Sequence, residues 1–112
     1  MQHDPWTIVA DLVAWLDSHS QLSPEMERQM RLTKITEENG EVAQAVVGVL
    51  GQNPRKGVTH TWEDVQGEVC DVILTAMVAL NSLTPDAEKV FAAHLERVAA
   101  RSLASTASGQ PG

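Results

Sequence analysis

Basic residues are scarce in this chain: 8 Lys and Arg stand against 15 Asp and Glu among 112 residues, a formal net charge of -7. A protein that grips a nucleic-acid backbone needs a basic face, so this balance argues against a polymer of nucleotides as partner. It leaves open a small anionic ligand delivered with divalent cations. Cysteine is rarer still. The single thiol, Cys70, has no partner within the chain for a disulfide, and a reducing cytoplasm is the natural setting. The opening residues MQHDPWTIVADL lack the basic and apolar regions of a signal peptide. No unbroken apolar run approaches the roughly 20 residues that span a bilayer. Period-2 alternation, the mark of a half-buried strand, is missing, and so is any internal repeat. These absences leave a small all-α domain without a membrane segment.

Helix starts are well marked. Asp4-Pro5, Ser23-Pro24 and Thr84-Pro85 each pair a capping residue with proline at the first helical position, and Thr61-Trp62-Glu63-Asp64 is an approximate capping box. They predict four helices. The first runs from Pro5 to about Asp17, with Trp6, Val9, Leu12, Val13 and Leu16 on one stripe. The second runs from Pro24 to Leu50, the third from Trp62 to Leu83, and the fourth from Pro85 to about Leu103. Residues 1–103 then form the domain, and the small, polar end ASTASGQPG (104–112) is expected to be disordered. The segments VAQAVVGVL and VILTAMVAL are apolar nearly all round, which predicts burial on every face. Four short helices cannot enclose two of their own number, so a homo-oligomer follows. Trp15, Met26, Met30 and Met77 are expected in a core or interface, and Cys70 as an inert buried thiol.

Acid is concentrated where a helix would least favour it. ITEENGEV (35–42) places Glu37, Glu38 and Glu41 within five positions. Like charges at i,i+3 and i,i+4 cost about 0.2–0.5 kcal/mol per pair. Gly40 among them costs about 1 kcal/mol relative to alanine, which suggests a packing or ligand reason. Alone, the stretch also fits a solvated helix face. A second pair, Glu68 and Asp71, three apart on the next helix, distinguishes the two readings. A short loop joins the two helices, so an antiparallel hairpin is expected. Measured from the loop, the first acids lie about 14–18 Å along their helix and the second about 10–15 Å along theirs. The carboxylates therefore converge at one height. Oxygen donors without Cys or His select hard cations, Mg²⁺ or Mn²⁺, which neutralise the repulsion. A ferritin-like di-iron centre is excluded, because no histidine stands three residues after a glutamate.

EENGE, then 26 residues, then EVCD resembles the EExxE…ExxD signature of MazG-like nucleoside triphosphate pyrophosphohydrolases. The similarity covers roughly residues 32–83. It implies an oligomeric helical bundle, a dimer or a tetramer, that cleaves nucleoside triphosphates between the α and β phosphates. Carried over by position, Glu38, Glu41, Glu68 and Asp71 are the Mg²⁺ ligands, and Glu37 orients the attacking water or supports the ligands. The departure is on the last helix. The phosphate-contacting Lys…Asn…Arg set of many members falls at His94, Val98 and Arg101 here. Phosphate contacts then pass to Lys34, Arg55, Lys56 or Arg101, and His60 and Trp62 are the candidates to hold a base. The alternative from another class is a bundle that keeps the fold as a nucleotide-binding, metal-binding or protein-interaction module without useful turnover.

Overall fold

The computed structural model describes residues 4–107, with side chains described through residue 103. Four helices appear, α1 (Pro5–His19), α2 (Pro24–Leu50), α3 (Trp62–Leu83) and α4 (Ala87–Ala107), and no strand occurs among the described residues. The capping chemistry explains three of the starts. The Asp4 carboxylate accepts from the Trp6 and Thr7 amides at 3.0 and 3.3 Å. Ser23 Oγ accepts from the Met26 amide at 3.2 Å. Thr61 and Asp64 complete a reciprocal box, each amide bonded to the other side chain at 2.9 and 3.1 Å. Gly51, at φ 62°, ends α2 in the left-handed conformation that glycine adopts without steric penalty.

The fourth start departs from expectation. Thr84 is extended and closes α3, its amide donating to the Leu80 carbonyl, while its hydroxyl accepts from the Asp86 amide at 3.1 Å. Pro85 and Asp86 turn the chain instead, and α4 begins at Ala87. Two other ends shift. α1 continues to His19, whose ring nitrogen meets the Trp15 carbonyl at 2.8 Å, and α4 continues to Ala107, past the expected end near Leu103. Residues 108–112 of the expected disordered tail lie outside the described residues.

α2 and α3 pack along their lengths, and α1 lies against α3. The fully buried apolar residues are few and mostly small: Val9, Val13, Ala45, Ala79 and Ala87. One charged residue joins them. Arg31, 5% exposed, reaches Asp17 on α1 at 2.8 Å, Glu27 on its own helix at 2.9 Å and Ser82 Oγ on α3 at 2.9 Å. A buried guanidinium is tolerated only with such partners, so this residue fixes the mutual placement of three helices.

The chain is open. Its radius of gyration is 18.2 Å, against about 13 Å for a compact domain of this length. α4 leaves α3 at 116°, and Val90, Phe91 and Leu95 on it are exposed. The two apolar segments are not buried on every face within this chain: Leu50 is 65% and Ile73 55% exposed, and Val47 and Leu74 are also exposed. Trp15, Met26 and Met30 are exposed, and Met77 is half-buried. Cys70 is exposed, not buried. Its neighbours Val69 and Asp71 are exposed as well, because this side of α3 is left uncovered. No single helix among the described residues is long and apolar enough to cross a membrane.

Candidate metal and anion site

Along α2, Glu37, Glu38 and Glu41 follow one another within little more than a turn. In the fold, one carboxylate oxygen from each lies within 4.8 Å of the others. A second set of the same tightness comprises Glu38, Glu68 and Asp71, bringing α3 in. Glu38 belongs to both. All five acids singled out in the sequence are thus brought together, and Glu38 is the hinge of the arrangement. Contacts at either end of the α2–α3 pair maintain it. Arg31 reaches Ser82 at one end, and the Thr59 amide donates to the Gly48 carbonyl at 2.9 Å at the other.

Glu37 and Asp71 are exposed, whereas Glu38, Glu41 and Glu68 are half-buried. Partial withdrawal from water, and then the neighbouring Glu41 carboxylate, hold Glu38 above the ordinary carboxylate range; Lys34 opposes this. Glu68 is raised for the same reasons in the same order, with Asp71 adding to Glu41 and His60 opposing. One of its oxygens, Oε2, is shut off from solvent and has no hydrogen-bond partner. An unsatisfied buried acceptor is costly. An oxygen-only donor set holding an orphaned, buried oxygen fits a hard divalent cation.

The basic candidates are placed unevenly. Lys34 Nζ lies 3.5 Å from Glu37, the one ion pair made by the five acids among the described residues. Lys56 lines a separate cavity of about 400 Å³ beside the α2–α3 loop, together with Gln44, Gly48 and Asn53. Arg55 and Arg101 are exposed, Trp62 is 55% exposed at the start of α3, and none of these three lines the open cleft that Glu68 and Asp71 share with His60, Glu63 and Asp64. Gly40 has open space where a side chain would stand, so packing within the chain does not require it.

Gly48 does carry a packing requirement, and the sequence reading passed over it. A Cβ there would fall 2.0 Å from His60 Nδ1 and 2.6 Å from Thr59 Oγ1. The loop after α2 folds back so closely that only a glycine leaves room. The available signal was a glycine inside a long apolar helix segment, which marks close approach. No protein family, curated protein or solved structure matches the chain.

Proposed function

We propose that this protein hydrolyses nucleoside or deoxynucleoside triphosphates to the monophosphate and pyrophosphate with Mg²⁺, or Mn²⁺, held by Glu38, Glu41, Glu68 and Asp71. The observation that carries the reading is the sharing of Glu38 between two carboxylate triads contributed by two helices. A solvated helix face would need only the α2 acids, and no orphaned Glu68 oxygen. The similarity of EENGE…EVCD to the MazG-like signature supplies the reaction class.

When bound, the cation neutralises phosphate charge and activates a water. The chain's own residues do the rest. On this reading Glu37, exposed at the edge of the cluster, orients that water and accepts its proton. Water adds to the α phosphorus, the bond to the bridging oxygen breaks, and pyrophosphate leaves with the electron pair. Lys34, already beside Glu37, is the nearest of the cationic phosphate contacts.

An antiparallel α2–α3 hairpin belongs to this reading. Arg31 with Ser82, Glu38 with Asp71, and Gly48 with Thr59 pair increasing positions on α2 with decreasing positions beyond it. A homodimer or homotetramer belongs to it too. The uncovered apolar faces of Val47, Leu50, Ile73, Leu74 and Leu95 support that assembly, because large exposed apolar patches mark interfaces. The setting is cytoplasmic.

A second reading, a nucleotide- or metal-binding or protein-interaction module with little turnover, is favoured by one observation. Arg55 and Arg101 lie outside the acid cleft. Pyrophosphate release from a panel of NTPs and dNTPs with Mg²⁺ separates the two. Release by the wild type that Glu38→Gln and Asp71→Asn both abolish is the expected result. A silent panel from a protein that binds Mg²⁺ hands the site to the module reading.

A further inference from the structure

Beside the acids lies an open cleft of about 560 Å³, lined by His60, Glu63, Asp64, Glu68 and Asp71, with Thr59 at its edge. A polyanion entering it would meet carboxylates almost everywhere. Asp64 is already occupied by the Thr61 amide. The ring of His60 is the one cationic or N–H-bearing side chain on that lining. It stands outside both carboxylate triads, so it borders the cleft without sharing the tight donor set of a cation.

Its position is fixed from several sides. Nδ1 lies 2.9 Å from Thr59 Oγ1, and the Thr59 amide is tied to the Gly48 carbonyl at 2.9 Å. The ring presses against Gly48, where a Cβ would come within 2.8 Å of Cγ as well as 2.0 Å of Nδ1. In the tautomer whose Nδ1 accepts from the threonine hydroxyl, the ring proton resides on Nε2 and that nitrogen is a donor. Thr59 and His60 also line the neighbouring cavity that holds Lys56. The ring therefore stands between the acid cleft and the nearest loop lysine. It is close enough to Glu68 and Asp64 to favour their charged forms.

The geometry points to His60 as the donor that contacts the phosphate chain of a metal-held substrate, with Gly48 as the residue that lets it stand there. This rests on the cation site proposed above and adds to it a contact that Arg55 and Arg101, which lie outside the cleft, do not provide. The phosphate chain runs from the acid cleft past His60 toward Lys56.

The test uses inorganic tripolyphosphate, which has the anionic chain without a base. Calorimetry measures Mg²⁺ alone, then tripolyphosphate at saturating Mg²⁺, on wild type, His60→Ala, His60→Gln and Gly48→Ala, with melting curves for each. Mg²⁺ affinity is expected to be unchanged in both His60 variants. Tripolyphosphate is expected to bind about tenfold more weakly to His60→Ala, the loss of one hydrogen bond to a charged group. His60→Gln, whose amide nitrogen reaches near the place of Nε2, should recover part of that loss. Gly48→Ala, which displaces the ring without removing it, should behave like His60→Ala. If Gly48→Ala does not fold, the contrast between alanine and glutamine at position 60 decides. Equal tripolyphosphate affinity in wild type and His60→Ala, with Mg²⁺ binding intact, overturns the role of His60 alone. Failure of the wild type to bind Mg²⁺ overturns the cation site itself.

Discussion

Two glycines of one helix should answer the same substitution with opposite sign. Gly40 and Gly48 both lie inside α2, and alanine is favoured over glycine in a helix interior by about 1 kcal/mol. At Gly40 a Cβ would meet nothing within 4 Å, so Gly40→Ala is expected to stabilise the metal-free protein by about 0.5–1 kcal/mol. At Gly48 the same Cβ would fall 2.0 Å from His60 Nδ1 and 2.6 Å from Thr59 Oγ1. Relieving that overlap means turning the His60 ring and the Thr59 side chain away, or moving the loop that carries them. Overpacking costs about 1–3 kcal/mol, and the Thr59–Gly48 hydrogen bond adds about 1 kcal/mol if it breaks. After the helix-propensity gain, Gly48→Ala should lose about 1–3 kcal/mol. For a domain of this size that separates the two variants by roughly 10 °C in Tm. Urea unfolding in EDTA at one protein concentration, with both variants and wild type side by side, makes the comparison. Equal stability of the two alanine variants would refute the packing argument and, with it, the claim that the loop is held by close approach.

Two further outcomes follow from the charge cluster and the open faces. Glu38 and Glu68 have folded values above their ordinary range, so the folded state holds their protons more tightly than the unfolded chain does. Their stabilising contribution is present below the ordinary Glu value of about 4.3 and is lost as pH rises through the raised folded values. Melting of metal-free Glu68→Gln should therefore fall less than wild type between pH 4 and pH 7. Added Mg²⁺ should raise the wild type but not the variant; parallel pH curves would remove the basis for a strained carboxylate cluster. The exposed faces predict a dimer or tetramer mass by light scattering. Ile73→Glu, at a site 55% exposed in the single chain, should lower that mass. A wild-type monomer at micromolar concentration would sink the assembly.

The helix boundaries were legible where local chemistry alone sets them. Asp4, Ser23 and Thr61 cap the helices that their side chains predict. Thr84 carries the same signature as the first two and its hydroxyl does accept from the Asp86 amide, but Pro85 and Asp86 form a turn and the helix begins only at Ala87. The acids converged as expected because their heights along two adjacent helices depend only on rise per residue and a short loop. The close approach of His60 to Gly48 was not legible for the opposite reason. Their contact depends on how an eleven-residue loop (51–61) folds back, and nothing in GQNPRKGVTHT specifies that path without the partner surface.

The same logic separates the burial that was legible from the burial that was not. Val9 and Val13 are buried as their stripe on α1 predicts, because α1 lies on α3 within the chain. Ile73, Leu74 and Leu50 belong to the segments expected to be covered in an oligomer, and they are exposed here because the single chain offers nothing to cover them. Periodicity reports that a face is apolar, not which molecule buries it. Five converging carboxylates with a single lysine at their edge pose the parallel question in charge. One imbalance is apolar surface and the other is negative charge, and no rearrangement of four helices corrects both. On the reading proposed here, a second copy of the chain answers the first and a divalent cation the second. The two can be separated by experiment: EDTA should raise the melting cost of the acids without changing the assembly mass, whereas Ile73→Glu should change the mass and leave the Mg²⁺ response in place.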